Sequence, residues 1–258
     1  MSIVPAFFYF FYIYGEKSIL LTINNKFNKI SFMKLNIKCF MKKGLCVAAL
    51  IFTAGISAFA QGITTANEFF KAVSDKYATF KDYQAVVDIK IGNTPMAATV
   101  TYMAPDKMRM DYTNPANQTI VYDGKKLICY LPESASVLTQ DATGANPTTS
   151  EGLSLLRRYY TVSYEKGQGK VPLDEGSDEM VIKLILWRRT ASESFRNIKM
   201  SIDPDTKLIR RIVATTPGGV VYQFDFKNYE INQGLTAKRF EYDIPSGANN
   251  YDNFLFAD

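Results

Sequence analysis

Apolar and polar residues alternate along most of the chain beyond residue 80, and this period of two predicts half-buried β-strands. In the run KMRMDY at residues 107–112, Met108, Met110 and Tyr112 alternate with charged residues. Asp123-Gly124 marks a tight turn between two apolar runs, because glycine adopts a positive φ without strain. Connections this short join antiparallel neighbours, so the pattern predicts an antiparallel meander rather than strand–helix–strand units.

The same reasoning predicts about ten or eleven strands in total. Besides the runs around Asp123-Gly124, strands are predicted at residues 83–91, 96–102, 180–187, 197–202, 208–214, 220–227 and 239–244. Residues 180–187 are apolar on both faces except at Lys183, which is typical of a strand that is covered on both sides.

Two segments have helical spacing instead. Thr65 and Glu68 have the spacing of a capping box, and the apolar side chains that follow, Phe69, Phe70 and Tyr77 among them, recur at intervals of one helical turn. A second, shorter helix is predicted at residues 151–160, between polar loops at 139–150 and 165–178.

Residues 41–60 have the composition of a secretory signal peptide. Lys42 and Lys43 form a basic start, residues 46–56 an apolar stretch, and Ala58-Phe59-Ala60 a small-residue cleavage site. We therefore expect cleavage after Ala60 and a periplasmic product in which residues 61–258 form a single domain.

Residues 1–40 precede this signal, and two interpretations are open. They could add a membrane segment, or they could be an upstream extension outside the fold, with the true start at Met33 or Met41 rather than Met1. The second is favoured, because the apolar run at residues 7–14 is much shorter than the ~20 residues that a membrane span requires.

Charge and cysteine content narrow the functional classes. The formal charge of +5 comes from residues before Gln61, and the rest of the chain is close to neutral, so no field favours nucleic acid. Cys129 is the one cysteine that remains after cleavage, which leaves no intrachain disulfide. Since it sits in an apolar strand, we interpret it as a small buried side chain and not as a nucleophile.

The sequence contains few of the residues and motifs that enzymes use for catalysis. The chain contains no histidine, which removes the commonest general base and the commonest metal ligand. It also lacks the glycine-rich phosphate loop, the GxSxG elbow and the HExxH metal motif. We therefore expect neither an enzyme nor a bound metal or cofactor.

An ordered set of motifs carries a family resemblance. Pro105 is followed by Arg109-Met110-Asp111-Tyr112, then by the hairpin run at 118–124 and by Tyr130-Leu131-Pro132. A weaker counterpart, FEYDIPSG, lies at residues 240–247. This set resembles the LolA family of periplasmic lipoprotein carriers.

The resemblance implies a mainly β (α+β) fold: an unclosed antiparallel β-barrel, or strongly curved sheet, with helices covering a concave apolar face. It also implies a periplasmic chaperone that shields the acyl chains of lipoproteins and transfers them from the inner to the outer membrane. The implied partners are acylated lipoproteins, an inner-membrane ABC-type release complex and an outer-membrane acceptor. A monomer is expected.

On this basis, one set of alternating strand positions is assigned to the concave face of a lipid-binding cavity, and the helices are assigned to its lid. The expected cavity residues are Tyr83, Val87, Ile89, Val100, Met108, Met110, Tyr112, Met200, Tyr222, Phe224 and Phe226. The expected lid contacts on the helices are Phe69, Phe70 and Leu156. Ala104 stands where well-studied members of the family have an arginine that helps to hold the lid, so that contact is in doubt here. Arg109 should point outward by alternation.

Three other interpretations remain open. The apolar strand faces could belong to an ordinary filled core. The chain could be a lipid-sensing regulatory or binding module of the same architecture without carrier activity, although such proteins usually add a second domain. It could also be a secreted enzyme acting on lipid or glycan, which the absent histidine and motifs disfavour.

Overall fold

The computed structural model describes residues 64–141 and 153–253. The expected signal peptide, the upstream residues 1–40 and nearly all of the loop at 139–150 lie outside these ranges.

Two α-helices lie within the described residues, α1 at Ala66–Ala78 and α2 at Ser154–Tyr159. The predicted capping box is present at the start of α1: Glu68 N–H donates to the Thr65 hydroxyl, and Thr65 N–H donates to the Glu68 carboxylate at 2.8 Å. Phe69, Phe70 and Tyr77 lie on the buried side of α1, as their spacing predicts.

Thirteen strands are formed by the described residues. They are β1 Asp82–Ile91, β2 Thr94–Met103, β3 Lys107–Asn114, β4 Thr119–Tyr122, β5 Lys126–Leu131, β6 Ser136–Asp141, β7 Tyr160–Tyr164, β8 Val171–Pro172, β9 Met180–Arg188, β10 Asn197–Ile202, β11 Ile209–Thr215, β12 Val221–Ile231 and β13 Asn249–Asp252.

These strands form one curved, unclosed sheet, as the family resemblance implied. Its order is β13-β6-β5-β4-β3-β2-β1-β12-β11-β10-β9-β7, with β8 paired to β9 beside β7. Strands β1 to β6 and β9 to β12 are two antiparallel meanders, and pairing of β1 with β12 joins them in the middle of the sheet. The two strands are far apart along the chain, but their pairing brings the two apolar faces into one continuous inner surface.

One large cluster of buried apolar side chains occupies the inner surface, and α1 and α2 contribute to it. Helix α1 packs against β7 and α2, while Tyr77 near its other end reaches β11 and β12. The helix therefore crosses the concave face. Neither described helix combines the length and the apolar composition needed to cross a membrane.

The sequence missed two strands, and its prediction for a third was wrong. Strands β7 and β8 were not predicted, because they are short and their pairing with β9 is the feature that defines them. Strand β9 is not covered on both sides: Val181 and Leu186 are buried, but Met180 and Trp187 are 41% and 46% exposed. An apolar run alone does not distinguish these cases.

The C-terminal strand is also placed differently from the prediction. Residues Ala237–Phe240 form a 3-10 helix, and the strand that follows is β13, which pairs with β6 in parallel. The alternation at 239–244 arises because Phe240 is buried and Tyr242 stacks against Tyr130, with ring centroids 6.2 Å apart, while the backbone of this run joins no strand ladder.

The segment between β12 and β13 crosses the outer face of the sheet. Arg109 on β3 donates to the carbonyl oxygens of Arg239 and Glu241, at 3.2 and 3.3 Å, and pairs with Asp111. Arg239 pairs with the same Asp111 at 3.1 Å. Arg109 therefore points outward, as predicted, and fastens the C-terminal segment to β3.

Asp82 holds the start of this segment. Its buried carboxylate accepts hydrogen bonds from three successive backbone N–H groups, those of Gln233, Gly234 and Leu235, at 2.7 to 3.3 Å. Positive φ at Gly234 lets the backbone curl around the carboxylate. This interaction links the first residue of β1 to the exit of its partner β12.

We expect Asp82→Ala to lower the free energy of unfolding by about 1.5–3 kcal/mol, because three backbone N–H groups lose their charged acceptor. Urea unfolding at neutral pH measures this. Asp88→Ala, on the same strand, is the matched control. Asp88 pairs with Lys227 at the surface, and such pairs contribute roughly 0–1 kcal/mol. Equal losses in the two variants would contradict the role given to Asp82.

Candidate functional site

The inner face of the sheet gathers all the residues that the sequence assigned to a cavity and its lid. Each of these fourteen side chains belongs to the single buried cluster, and none is more than 8% exposed. They come from β1, β2, β3, β10 and β12 and from both helices. The structure thus brings them together; that they contact a lipid stays a prediction.

Cross-strand pairing orders this surface into rows. One row runs through Ala85, Val100, Met110, Ile120 and Cys129, each directly opposite the next on neighbouring strands β1 to β5. Directly opposite side chains lie on the same face of a sheet, about 4.5–5.5 Å apart at Cβ. The row is therefore a continuous apolar strip about five strands wide.

A second row lies on the other half of the sheet. Leu184, Met200, Ile212, Phe224 and Ile89 face one another in turn from β9 to β12 and on to β1. Methionine and aromatic side chains are prominent in both halves. Methionine is flexible and polarisable, so a surface built this way adapts to apolar partners of irregular shape.

Aromatic rings cluster where α1 leads into β1. Tyr83 lies at the centre, with its ring centroid 5.3 Å from that of Tyr102 and 5.9 to 6.2 Å from those of Phe80, Tyr229 and Tyr77. Rings at these separations and angles stabilise one another beyond their burial alone. This cluster is the most densely aromatic part of the inner surface.

The start of helix α1 lies beside β7. The Tyr164 hydroxyl and the Gln168 amide both donate to the Thr64 carbonyl at 2.9 Å, and the rings of Phe69 and Tyr164 lie 6.4 Å apart. The Nζ of Lys207, in the turn between β10 and β11, lies 5.4 Å from the centre of the Phe69 ring. Phe69 is buried, whereas the groups around it are exposed or half-buried.

The other end of α1 is fastened by a buried hydrogen-bonded ring. Ile209 N–H donates to the Tyr77 hydroxyl at 3.0 Å, and the Tyr229 hydroxyl donates to the Ile209 carbonyl at 2.8 Å. The two hydroxyls are 3.1 Å apart. Since the Tyr229 proton is committed to Ile209, Tyr77 must donate to Tyr229, and the cycle closes.

Burial keeps both hydroxyls protonated. Desolvation raises the pKa of Tyr77 to about 12, against a smaller opposing effect from its hydrogen bonds. Desolvation also raises the pKa of Tyr229 well above its ordinary value, and the neighbouring Tyr77 adds to this. A closed cycle needs both neutral hydroxyls, so the fold and the protonation state support each other.

Ala104 lies directly after β2, in the turn that leads into β3. Its backbone N–H donates to the Lys81 carbonyl at 2.7 Å, and its methyl side chain offers no polar contact. The C-terminal half of α1 makes polar contact with the strands through Tyr77. The sequence pointed to Tyr77 as an apolar helix residue and missed Tyr229, although a buried tyrosine hydroxyl signals that a partner is present.

Cys129 lies in the first row and is buried. Desolvation raises the pKa of its thiol to about 12, so at neutral pH it is a protonated apolar side chain. Carboxylates of the 165–178 loop are used as ion-pair partners: Asp174 contacts Arg211, and this hydrogen bond lowers the pKa of Asp174. Within the described ranges, no group of acidic or cysteine side chains could hold a metal ion.

Comparison with known proteins places this geometry in a family. Residues 84–243 match the sequence model described as outer membrane lipoprotein carrier protein LolA. A protein of Methylibium petroleiphilum named outer-membrane lipoprotein carrier protein is 26% identical over 213 residues, covering 81% of this chain and 98% of that protein. A protein of the same name from Leptothrix cholodnii is 25% identical over 207 residues, covering 78% and 92%.

A solved structure shares the fold. The crystal structure of an uncharacterised conserved protein from Thermus thermophilus superimposes with a TM-score of 0.50 at 17% identity, over 72% of this chain and 98% of that one.

The hydrogen-bonded ring predicts a specific loss of stability at alkaline pH. The pKa of Tyr77 is raised in the folded state, so its contribution is fully present below pH 10 and is lost as the pH rises toward about 12. Tyr77→Phe should lower the free energy of unfolding at neutral pH by about 1–3 kcal/mol, because Ile209 N–H loses its buried acceptor. The substitution should also reduce the steepness with which the free energy of unfolding falls above pH 10.

Urea unfolding at a series of pH values measures both effects. Tyr251→Phe is the matched control, since Tyr251 is 53% exposed on β13, and it should leave both the free energy and its pH dependence as in the parent. A Tyr77→Phe variant that declines as steeply as the parent above pH 10 would show that the ring is not formed.

Proposed function

The chain belongs to the LolA family of outer membrane lipoprotein carrier proteins, and we propose that it shields the acyl chains of lipoproteins on its inner face and carries them across the periplasm. The observation that supports this most directly is the single continuous apolar surface formed by both halves of the sheet. Burial of an acyl chain contributes about 0.8 kcal/mol per CH₂. A few such chains therefore supply ample affinity without any polar recognition.

Loading of an acyl chain requires movement of the helices. All fourteen cavity and lid side chains are covered in the structure, so a guest reaches them when α1 or α2 separates from the sheet. The Tyr77–Tyr229–Ile209 ring holds the C-terminal end of α1, whereas the start of α1 is held by apolar contacts and by exposed hydrogen bonds from Tyr164 and Gln168 to the Thr64 carbonyl, which water can replace. We propose that α1 pivots on this ring and opens beside β7.

The cavity set and the lid contacts Phe69, Phe70 and Leu156 are accordingly assigned to acyl-chain contact. The wider proposal keeps residues 61–258 as one domain, with export to the periplasm and cleavage after Ala60. The partners are an inner-membrane ABC-type release complex and an outer-membrane acceptor. No catalytic step is required of the chain. The curated relatives carry the carrier name, so a regulatory module without carrier activity is not favoured.

Photo-crosslinking at two neighbouring positions of β12 tests the proposal. Phe226 is buried on the inner face and Lys227 is exposed on the outer face. The crosslinker p-benzoylphenylalanine keeps the phenyl ring at position 226 and adds a benzoyl group to it, and at Lys227 it breaks one surface ion pair to Asp88. In cells, we expect adducts with acylated lipoproteins from position 226 and not from position 227.

Mass spectrometry of the adducts identifies the attached chain and whether the bond lies in its acyl part. Export of both variants at the level of the parent is the control for folding. Adducts of equal yield at the two positions, or adducts at position 226 that lack acylated cargo, would contradict the proposal.

A further inference from the structure

One end of the sheet carries an unusual concentration of arginine. The segments at residues 154–161, 187–197 and 215–222 contain five arginines, no lysine and a single carboxylate, Glu193. We call this end the arginine rim and define it by Arg157, Arg158, Arg188, Arg189 and Arg196.

Strand pairing brings these segments together. Tyr160 lies opposite Arg188, Trp187 lies opposite both Thr161 and Asn197, and Arg188 N–H donates to the Arg196 carbonyl. Arg189 N–H donates to the Tyr159 carbonyl at 2.8 Å, which fixes the end of α2 beside the loop between β9 and β10. The five guanidinium groups therefore arise from one small region.

The rim has little internal charge compensation. Arg188 donates to the Ala191 carbonyl at 3.1 Å, and Arg158, Arg189 and Arg196 are exposed. Within the described parts of the chain, none of the five arginines is in a salt bridge. This contrasts with Arg109, Arg210, Arg211 and Arg239 elsewhere on the outer face, each of which pairs with a carboxylate.

Apolar side chains are exposed at the same end. Trp187 and Tyr159 are 46% and 43% exposed, and Val220 and Val221 at the turn into β12 are 45% and 39% exposed. Trp187, Asn197, Thr215 and Val221 lie opposite one another across four strands, so Trp187 and Val221 are separated by roughly 14 Å. Exposed aromatic and aliphatic groups thus lie at the same end of the sheet as the five arginines.

We propose that the arginine rim docks the protein onto an anionic phospholipid surface. Guanidinium groups match phosphate in geometry, and tryptophan and tyrosine favour the boundary between lipid headgroups and acyl chains. An acidic protein is the competing class of partner. Protein interfaces centre on side chains that fill pockets of the partner. Here the apolar groups lie exposed at strand ends and in a turn, spread over a width that a fluid lipid surface can accommodate. The proposal does not depend on what the inner face carries.

Trp187 makes the proposal directly testable, because it is the single tryptophan of the chain. The purified protein is titrated with vesicles of phosphatidylcholine, with and without phosphatidylglycerol. We expect the emission of Trp187 to move to shorter wavelength with the anionic vesicles alone, and the binding to weaken as salt is raised. No emission shift with anionic vesicles would overturn the proposal.

The charge requirement is tested with a triple variant, Arg158→Gln with Arg189→Gln and Arg196→Gln. Binding should weaken by about five-fold for each arginine removed. The matched control replaces Lys81, Lys125 and Lys166 with glutamine; these three are also exposed, but they adjoin strand ends away from the rim. Since every variant retains the same N-terminal residues, differences between them report on the rim.

Urea midpoints equal to that of the parent establish that both triple variants are folded. Binding retained by the arginine variant, or lost equally by the lysine variant, would overturn the proposal. Binding to polyglutamate in place of vesicles would also overturn it, in favour of an acidic protein partner.

Discussion

The whole structure depends on how the apolar concave face of one curved sheet is covered. A sandwich would cover such a face with a second sheet, but here the described cover consists of α1 and the short α2. The hydrophobic effect is roughly proportional to the area removed from water and has no preferred direction. A cover held mainly in this way can be exchanged for another apolar body, which is the physical requirement for a carrier.

Hydrogen bonds and ion pairs, which are directional, hold particular segments in place. The Tyr77–Tyr229–Ile209 ring holds one end of α1, and Asp82 and Arg109 hold the C-terminal segment on the outer face. The buried hydrogen bond from Ile209 N–H to the Tyr77 hydroxyl is the costliest of these to break, because the separated groups would lack water. Directional contacts therefore hold the C-terminal segment and one end of α1, and apolar contact covers most of the inner face.

Local signals explain what the sequence predicted. Helix α1 has its capping box, β3 has its alternation, and the family membership and curved-sheet fold implied by the Pro105–Pro132 motifs are confirmed. The errors arose where a segment depends on a partner that is distant in sequence. Strands β7 and β8 are defined by their pairing with β9. The run at 239–244 contacts Arg109 and Tyr130 and does not pair as a strand. Tyr229 was missed because its partners lie 20 and 152 residues away in sequence. The fourteen residues assigned to the site could be placed on one face, yet alternation carries no information about a guest.

Strand β13, which pairs in parallel with β6, affects how readily other chains can add to this edge of the sheet. An outermost strand offers unpaired backbone groups on which foreign strands can grow into aggregates. Here that position is occupied by Asn249–Asp252, a short and exposed run with a carboxylate and two amides, which covers the more apolar β6 behind it. The tail thus protects this border of the sheet against polymerisation.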